Sequence, residues 1–450
     1  MRTWPHVLSL ARAARDAGGR AFLVGGAVRD RLLGLPGRDA DIEVHGLAAE
    51  RVAALAAAVG KVHLVGRQFA VLHVATPEGQ VEISLPRRES KTGPGHKGFA
   101  VTADPHLGPR EAARRRDFTV NSMLEDPLTG EVLDPWSGRQ DLGRGLLRHV
   151  SPAFAEDPLR VLRAARFVAR FGWRIHPETA ALCRSLDLDE LPRERIAREW
   201  REILVDGAHP GLGLLALEEC GALRQFPEVA NLRGVAQDPR WHPEGDVLTH
   251  TVLCLEAAVH VRPQMEDPWV EMLAVLAHDF GKATTTRFER GRWRCLGHDE
   301  AGVPLTHAFL ARVTPESGVA ERVAALVREH LRPGQLHHAR EQVSAAAIRR
   351  LATRVPLPAL VRVAWADAAG RDEDLPDPWP SSVWLLEQAA ALGVEDAAPE
   401  PFMLGRDALA LGIPPGPRVG ELLRRAYELQ LDGALSSREA ALDWLRVQIA

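Results

Sequence analysis

The sequence predicts an α+β protein, with a mixed α/β part over residues 1–145 and an all-helical part after it. Strand-like runs alternate with helical runs in the first part. After about residue 151, apolar residues recur at the spacing of helices that bury one face. The chain has 450 residues, 46% of them hydrophobic, which is enough for more than one domain.

The elements of the first part follow one another closely. Residues 1–20 carry an apolar helical stripe, and residues 21–24 form an apolar run typical of a buried strand. Gly25 and Gly26 end this strand before a short helix at 28–33. Residues 41–45 alternate in polarity and are predicted as a strand. The remaining predicted elements are a helix at 48–58 and strands at 62–65, 70–75 and 80–85.

The second part is predicted to be helical throughout, with its clearest periodicity at 149–172, 192–204 and 211–220. Segments that contain Pro and Gly interrupt the helices, and residues 393–401 have the composition of a linker. These changes in pattern predict four domains, with the boundaries 1–145, 146–235, 236–375 and 376–450.

Composition excludes several classes of protein. No apolar run approaches the roughly 18 residues that a membrane-spanning helix needs, and the first residues do not resemble a secretory signal. The four cysteines are far apart, which argues against disulfides and a thiolate zinc site. We therefore expect a cytoplasmic protein. The net charge is −4, but arginine is concentrated in residues 87–116 and 139–174, where phosphate contacts are expected.

Two carboxylates follow the glycine pair at short range. Asp39 and Asp41 begin a predicted strand, and side chains two apart in a strand point to the same face. Their repulsion is relieved when cations lie between them, and Mg²⁺ prefers such oxygen ligands. Two metal ions would activate an attacking oxygen and a leaving pyrophosphate. A solvated acidic loop is the better explanation of an isolated Asp-x-Asp, but the upstream segment GGAVRD at 25–30 reverses this preference in favour of the metal site.

Four segments, in this order and spacing, resemble the class II tRNA nucleotidyltransferase and bacterial poly(A) polymerase family. They are 25–30 (GGAVRD), 39–41 (DAD), 115–123 (RRDFTVNSM) and 156–160 (EDPLR). The resemblance covers nearly the whole chain. It implies a five-stranded, polymerase-β-like nucleotidyltransferase head at 1–145, and a helical neck and body at 146–235.

The resemblance also implies a role for individual residues. Asp39 and Asp41 would be catalytic ligands of Mg²⁺, and Gly26 and Arg29 would contact the triphosphate. Arg116 and Asp117 would address the ribose and phosphates of ATP or CTP. Asp157 and Arg160 would hydrogen-bond the edge of the incoming base. The full set of implied nucleotide-binding residues is Gly25, Gly26, Arg29, Asp30, Arg115, Arg116, Asp117, Asn121, Asp157, Arg160 and Arg163.

The residues alone leave two interpretations open in three cases. Asp157 and Arg160 are three apart and share a helical face, but Asp157 before Pro158 is also a good helix N-cap. Arg166 and Arg170 continue the same face and are equally well explained as solvated residues. Glu82, on a predicted strand, is either a third carboxylate near the metals or a surface residue.

A second cluster of candidate ligands lies at 236–375. The His278-Asp279 pair follows an apolar run, and imidazole beside carboxylate suits a divalent metal. With His250 upstream and Asp367 downstream, the segment resembles the HD metal-dependent phosphohydrolase superfamily. The implied ligands of a transition metal or Mg²⁺ are His250, His278, Asp279 and Asp367. Further candidates, each also interpretable as a surface histidine, are His298, His307 and His330.

The resemblance predicts activity at the 3′ end of tRNA, with ATP and CTP as substrates and CCA addition favoured. Addition of A alone and poly(A) synthesis stay open, although Gln68 stands where poly(A) polymerases have a basic residue. A full-length segment at 86–114 disfavours CC-only addition. The HD module is associated with phosphatase and 2′,3′-cyclic phosphodiesterase chemistry, and an inactive remnant is the alternative. Residues 376–450 resemble the RNA-gripping tail, or form a plain helical packing unit.

Overall fold

The computed structural model describes residues 5–36, 40–65, 71–76, 79–91, 99–372 and 374–449. Asp39, Gln68 and residues 92–98, which belong to the segment 86–114, therefore lie outside the described residues. The chain divides into two compact units. The first comprises residues 1–199 and 212–225, and the second comprises residues 200–211 and 226–450.

The first unit contains the mixed α/β part and the helices that follow it. Its helices are α1 (Pro5–Asp16), α2 (Gly26–Leu32), α3 (Ala49–Val59), α4 (Pro109–Ala113), α5 (Gly138–Gly143), α6 (Leu159–Phe171), α7 (Pro177–Arg184), and parts of α8 (Arg193–Leu204) and α9 (Pro210–Glu219). Its strands are β1 (Arg20–Val24), β2 (Ala40–His45), β3 (Lys61–Val65), β4 (Val71–Thr76), β5 (Gly79–Ser84), β6 (Arg87–Lys91), β7 (Phe99–Ala103), β8 (Leu124–Glu125), β9 (Val132–Leu133), β10 (Leu146–Leu147) and β11 (Arg174–Ile175). Short 3₁₀ helices lie at Thr119–Asn121, Pro152–Glu156 and Ala222–Gln225.

One sheet organises the described part of the head. Its seven strands have the order β3-β4-β5-β2-β1-β8-β9. Only β2 and β5 pair in parallel, and the other neighbours are antiparallel. The five strands predicted from the sequence are therefore present, and the two-residue strands β8 and β9 extend the sheet beyond the five that were expected.

The two faces of β2 meet different surroundings. Ile42 and Val44 belong to the main apolar core, together with side chains of α1 and α3. Asp41 and Glu43 alternate with them and therefore point to the other face. On that face, Phe22 and Val24 pack with Ala113 and Leu124. The apolar core that contains Ile42 and Val44 therefore fixes β2 in place, and β2 holds the carboxylates of Asp41 and Glu43 on its other face.

The second unit is helical apart from one hairpin. Its helices after α9 are α10 (Pro227–Ala230), α11 (Val247–Val261), α12 (Pro268–Ala277), α13 (Lys282–Thr285), α14 (His298–Val313), α15 (Val319–Glu329), α16 (Arg332–His338), α17 (Ala345–Ala352), α18 (Leu357–Ala369), α19 (Pro380–Ala391), α20 (Gly405–Ala410), α21 (Pro417–Leu431) and α22 (Arg438–Ile449). The hairpin is formed by β12 (Arg287–Glu289) and β13 (Arg292–Arg294), and two 3₁₀ helices lie at Arg262–Gln264 and Arg340–Gln342.

Helix α12 lies at the centre of this unit. All its residues from Trp269 to Ala277 are buried, and α11, α15 and α18 pack against it. A helix that is apolar on every side is stable only when it is surrounded in this way. Its last turn leads directly into His278 and Asp279, so the apolar run holds this pair at a fixed position. No helix among the described residues is long and apolar enough to cross a membrane.

The C-terminal helices α20–α22 enclose a small apolar core of their own. A Gly- and Pro-rich segment at 412–416 lies between α20 and α21. Asp407 caps α20 by accepting a hydrogen bond from the Leu404 amide at 2.8 Å, and it also pairs with Arg438 at 2.5 Å. These contacts establish the helical unit expected at the end of the chain, while its binding to RNA stays a prediction.

Candidate active sites

The turn between β1 and α2 brings three predicted site residues together. Gly25 has a φ of 67° and a ψ of −131°, a conformation essentially restricted to glycine. A Cβ atom at Gly25 would lie 3.1 Å from Arg116 Nη1 and 3.7 Å from Asp41 Oδ2. The backbone of the turn therefore approaches a carboxylate and a guanidinium, the two kinds of group that a metal-bound triphosphate requires.

The strand β2 carries a second acidic residue that the sequence analysis did not single out. Glu43 is buried, lies 3.0 Å from His45 Nε2 and lies 3.6 Å from Arg116 Nη2. Burial by itself would raise the pKa of Glu43, but the hydrogen bond to His45 and the charge of Arg116 lower it below the ordinary value. Glu43 is therefore an anion that holds Arg116 beside the glycine turn. The position of Asp39, two residues before Asp41, is outside the described residues.

Glu82 combines features of both interpretations left open by the sequence. It is the register partner of Asp41 in the parallel pair of β2 and β5, which places the two side chains on the same face. The Glu82 side chain is nevertheless 48% exposed, and its carboxylate lies 3.6 Å from His73 Nε2. Glu82 is thus beside the carboxylate site, at its solvent-facing edge.

A buried polar network joins α2, the Thr119–Asn121 turn and α6. Asn121 Oδ1 accepts a hydrogen bond from Arg29 Nη1 at 2.7 Å, and its Nδ2 donates to Asp117 Oδ1 at 2.9 Å. Asp117 Oδ2 accepts from Nε and Nη2 of Arg163, at 2.9 and 2.5 Å. Burial would raise the pKa of Asp117, but Arg163 and Asn121 hold it well below the ordinary range. Four predicted nucleotide-binding residues are therefore positioned by one another.

Arg170 extends this network instead of lying free in solvent. Its Nη2 donates to Asp30 Oδ2 at 2.9 Å, while Asp30 Oδ1 accepts from Arg29 Nε at 2.7 Å. The Arg29 guanidinium also lies 5.0 Å from the rings of Phe167 and of Phe171. The interpretation of Arg170 as a solvated residue is therefore wrong. The same holds for Arg166, whose side chain is 14% exposed and pairs with Glu199.

Asp157 and Arg160, the predicted base-reading pair, both contact protein groups in this structure. Asp157 Oδ1 accepts from the Leu159 amide at 3.2 Å, so the predicted capping interaction is present, although the helix begins at Leu159. Asp157 Oδ2 accepts from Arg195 Nη2 at 2.8 Å. The two terminal nitrogens of Arg160 donate at 2.6 Å to the carbonyls of Ala153 and Arg115. Capping and base contact remain compatible, and the base contact stays a prediction.

The second unit brings together the four predicted ligands of the HD site. His250 Nε2 lies 3.0 Å from Asp367 Oδ1 and 3.4 Å from His278 Nε2. Asp279 Oδ2 lies 3.3 Å from His278 Nε2 and 3.7 Å from His250 Nε2. All four side chains are buried. Residues from α11, the end of α12 and α18 therefore converge on one point.

The histidine tautomers fit a metal ion at this point. Nδ1 of His278 lies 2.7 Å from the Val275 carbonyl, and Nδ1 of His250 lies 2.8 Å from a carboxylate oxygen of Glu244. These oxygens are acceptors, so each Nδ1 can donate its proton to one of them, and each Nε2 would then be the atom that binds a metal ion. Two Nε2 atoms 3.4 Å apart with facing lone pairs are stabilised by a cation that binds both.

A second group of ligands adjoins the first and shares Asp279. Nε2 of His298 lies 3.4 Å from Asp279 Oδ1 and 3.4 Å from Nε2 of His330. Nδ1 of each of these histidines again faces a backbone carbonyl, at 2.7 and 2.6 Å. Asp279, His298 and His330 have the proximity of a metal-binding group. His307, the third additional candidate, is exposed on α14 and belongs to none of the ligand groups among the described residues.

Several charged residues around the HD site were not assigned a role from the sequence. Lys282 Nζ lies 2.7 Å from Asp279 Oδ2 and donates to Gln237 Oε1 at 2.9 Å, and Arg371 Nη2 donates to Asp367 Oδ2 at 3.0 Å. Burial would raise the pKa of Asp279, but Lys282 and His278 lower it well below its usual range. Burial and the neighbouring histidines lower the pKa of His330 to about 4, so its imidazole is neutral at neutral pH. The contact between Lys282 and Asp279 has only one signal in the sequence, which is their spacing of about one helical turn.

Comparisons with known proteins match the two regions of the chain that contain these sites. The family model described as the poly(A) polymerase head domain matches residues 21–148, and the HD domain model matches residues 247–371. Two solved structures share the fold. The Bacillus stearothermophilus CCA-adding enzyme in complex with CTP has a TM-score of 0.63 and 22% identity, over 99% of this chain and 98% of that chain. The Thermotoga maritima CCA-adding enzyme complexed with tRNA has a TM-score of 0.60 and 20% identity, over 100% of this chain and 97% of that chain.

Fold and sites together define a class of protein, in which a nucleotidyltransferase head is joined to an HD domain. Curated relatives make the assignment narrower. The multifunctional CCA protein of Nitrosococcus oceani is 40% identical over 386 residues, which cover 82% of this chain and 90% of that protein. The one from Xanthomonas campestris pv. campestris is 38% identical over 434 residues, which cover 93% of this chain and all of that protein. The chain belongs to the multifunctional CCA protein family.

Proposed function

We propose that this protein transfers CMP and AMP from CTP and ATP to the 3′ end of tRNA, building or repairing the CCA end without a nucleic-acid template. The observation that carries the proposal is the convergence of Gly25, Arg116 and Asp41 at one turn. The names of the relatives favour CCA addition over addition of A alone and over poly(A) synthesis.

The residues of the head have the chemistry that this reaction needs. Asp41, together with Asp39, is proposed to hold Mg²⁺, which would lower the charge of the triphosphate and activate the terminal hydroxyl of the RNA. The glycine turn and Arg116 would bind the phosphates of the nucleotide, and Arg29 would be kept in place by Asn121. Reaction would require only positioning and charge stabilisation, as is usual for transfer of a phosphoryl group.

Base selection is proposed to involve an exchange of hydrogen-bond partners. Asp157 is engaged by Arg195, and Arg160 is engaged by two backbone carbonyls. The edge of a cytosine or an adenine would replace these partners when the nucleotide enters. Because the replaced contacts are charge-assisted hydrogen bonds, the correct base must supply bonds of similar strength, and this requirement supports discrimination.

The test of the head is the variant Asp41→Asn, which keeps the size of the side chain and removes its charge. We expect incorporation of labelled CMP and AMP into tRNA to fall to background, while tRNA binding changes little. Asp16→Asn, the same substitution at an exposed position of α1, is the control and should behave as the unmodified protein. Substantial incorporation by Asp41→Asn would show that Asp41 is not a metal ligand.

For the HD domain we propose hydrolysis of phosphate esters at RNA 3′ ends, including 2′,3′-cyclic phosphates, so that damaged ends become substrates for the head. Two adjacent metal ions are proposed, one held by His250, His278 and Asp367 and one by His298 and His330, with Asp279 shared between them. Such a pair would bind the phosphate and generate a hydroxide nucleophile. Buried ligands on five helices or directly after them support this proposal more strongly than the His-Asp pair alone.

The variant Asp279→Ala removes the proposed shared ligand and should abolish metal-dependent phosphate release from a 2′,3′-cyclic end. Incorporation of nucleotides by the head should persist in this variant. His307→Ala is the control, since His307 is an exposed residue of α14. Phosphate release by Asp279→Ala at the rate of the control would refute the assignment of the site.

A further inference from the structure

A short hairpin beside the HD site is unusually rich in arginine and aromatic residues. Strands β12 and β13 are joined by Arg290 and Gly291, whose φ angles of 52° and 77° give the tight turn that matches the twist of a two-stranded ribbon. Phe288 and Trp293 are register partners, and their ring centroids are 5.1 Å apart. The geometry of the hairpin is thus well defined although little of it is buried.

The aromatic rings of this region face solvent. Phe288 is 62% exposed and Trp293 is 38% exposed. Trp241, which lies on a separate loop before α11, is 68% exposed. A cross-strand aromatic pair can serve only to stabilise its hairpin. That role does not account for Trp241, which belongs to another segment of the chain.

One cavity connects these aromatic residues with the proposed metal ligands. It has a volume of about 240 Å³. Trp241 and Trp293 line it, and so do Asp279, His298 and His330. A group that reaches the ligands through this cavity therefore passes beside both indole rings.

Two residues that line the cavity each have a buried polar side-chain atom without a hydrogen-bond partner among the described residues. These atoms are Oγ1 of Thr286 and Nε of Arg294. An unpaired buried donor is costly unless a ligand or water completes its hydrogen bond. Both can donate to an anionic oxygen.

The charge of the hairpin is complementary to nucleic acid. Arg287, Arg290, Arg292 and Arg294 are accompanied by a single acidic residue, Glu289. Arginine with interleaved exposed aromatic residues is the composition of surfaces that bind single-stranded RNA, because rings stack on bases and guanidinium groups bind phosphates. A protein partner would not require this combination beside a phosphate-hydrolysing site.

We propose that Trp241 and the β12–β13 hairpin form a clamp for the 3′-terminal nucleotides of single-stranded RNA. The terminal bases stack on Trp241 and Trp293, the hairpin arginines bind the preceding phosphates, and Thr286 and Arg294 donate hydrogen bonds to the terminal phosphate as it meets the metal site. This inference rests on the proposed hydrolytic function and names its substrate class: an RNA end with unpaired terminal nucleotides, in preference to a small phosphate ester.

Steady-state hydrolysis by the full chain loaded with metal tests the clamp. Two substrates are compared: a single-stranded RNA oligonucleotide ending in a 2′,3′-cyclic phosphate, and bis(p-nitrophenyl) phosphate, which has no base. In the double variant Trp241→Ala/Trp293→Ala we expect KM for the RNA to rise by about 10-fold or more, because each stacked base contributes substantially to binding. The kcat for bis(p-nitrophenyl) phosphate should be unchanged.

The control is Leu296→Ala, which removes a 77% exposed apolar side chain three residues beyond Trp293 and should leave both substrates unaffected. Equal losses on both substrates in the double variant would mean that the tryptophans only support the fold of the site. An unchanged KM for RNA would mean that this surface serves another occupant. Either result overturns the proposal.

Photocrosslinking separates the clamp from the hydrolytic function. An RNA oligonucleotide with 4-thiouridine at its 3′ end is irradiated with the full chain, and the crosslinked peptides are identified by mass spectrometry. We expect crosslinks to the loop containing Trp241 or to the hairpin. Crosslinks there without any hydrolysis would retain the clamp and refute the hydrolytic function. Crosslinks confined to other segments would refute the clamp.

Discussion

The buried pair of Asp117 and Arg163 provides a sharp test of how the nucleotide site is organised. The substitution Asp117→Asn keeps the shape of the side chain. Its amide oxygen can still accept from the Asn121 side chain and from the Phe118 amide, as Asp117 Oδ1 does at 2.9 and 2.8 Å. The amide nitrogen then faces Arg163, so both hydrogen bonds from that guanidinium are lost.

The size of the effect follows from this geometry. Removing one partner of a buried ion pair costs about 3–5 kcal/mol, because the remaining charge is left without compensation. The Arg163 side chain keeps 31% of its surface exposed, so water reduces the penalty and the lower end of the range applies. If the displaced side chains weaken stabilisation of the transition state by about 3 kcal/mol, kcat/KM decreases by about 100-fold.

The assay is the incorporation of labelled AMP into tRNA ending in CC, at a temperature well below unfolding. The matched control is Asp126→Asn, a buried carboxylate in the same unit that pairs with Arg20 at 3.0 Å and lies outside the network. We expect both variants to lose stability and only Asp117→Asn to lose activity. Similar kcat/KM values for the two variants would refute the claim that this network positions the nucleotide.

Three further predictions concern pH, backbone and metal. Because the pKa of Asp117 is lowered by folding, its ion pair stabilises the protein above the unfolded pKa of about 3.9 and loses this effect as pH falls through the folded value. The calorimetric Tm difference between Asp117→Asn and the unmodified protein should therefore be constant from about pH 5 to 8 and shrink below about pH 4, and a difference that grows in acid would contradict the pairing. Gly25→Ala should reduce nucleotide incorporation by about 10-fold or more, because it introduces backbone strain of about 1–3 kcal/mol beside Arg116. The control Gly34→Ala also has a positive φ, of 71°, but no atom lies within 4 Å of its new Cβ, so this variant should retain activity. Equal losses of activity in the two variants would point to general backbone strain. His298→Ala should lose about half of the bound metal in elemental analysis and His307→Ala should lose none, while full metal content in His298→Ala would argue against a second ion.

The elements of the head could be predicted because their signals are local. Strand β1, the short helix α2 and the strand β2 lie within two residues of the predicted positions, since each rests on an apolar run or an alternation of a few residues. Strands β8 and β9 have two residues each, too few for any periodicity. Such strands form only because β1 offers a free edge for pairing.

The partners of the site residues could not be predicted, because they depend on distant parts of the chain. Arg195 follows Asp157 by 38 residues, and nothing in its own helix signals the contact. The choice between His298 and His307 depends on the helix that contains them. At about 100° per residue, nine residues place two side chains on opposite faces, so one histidine is buried among ligands and the other is exposed.

Incorporation of labelled CTP and ATP by the purified protein, separately and together, tests the central claim most directly. The substrates are tRNAs that end at the discriminator base, at C and at CC. We expect the addition of two C residues and one A to the first tRNA, completion of the other two, and no further growth. Addition of a single A to the CC-ended tRNA alone, or long A tracts on any RNA, would contradict it.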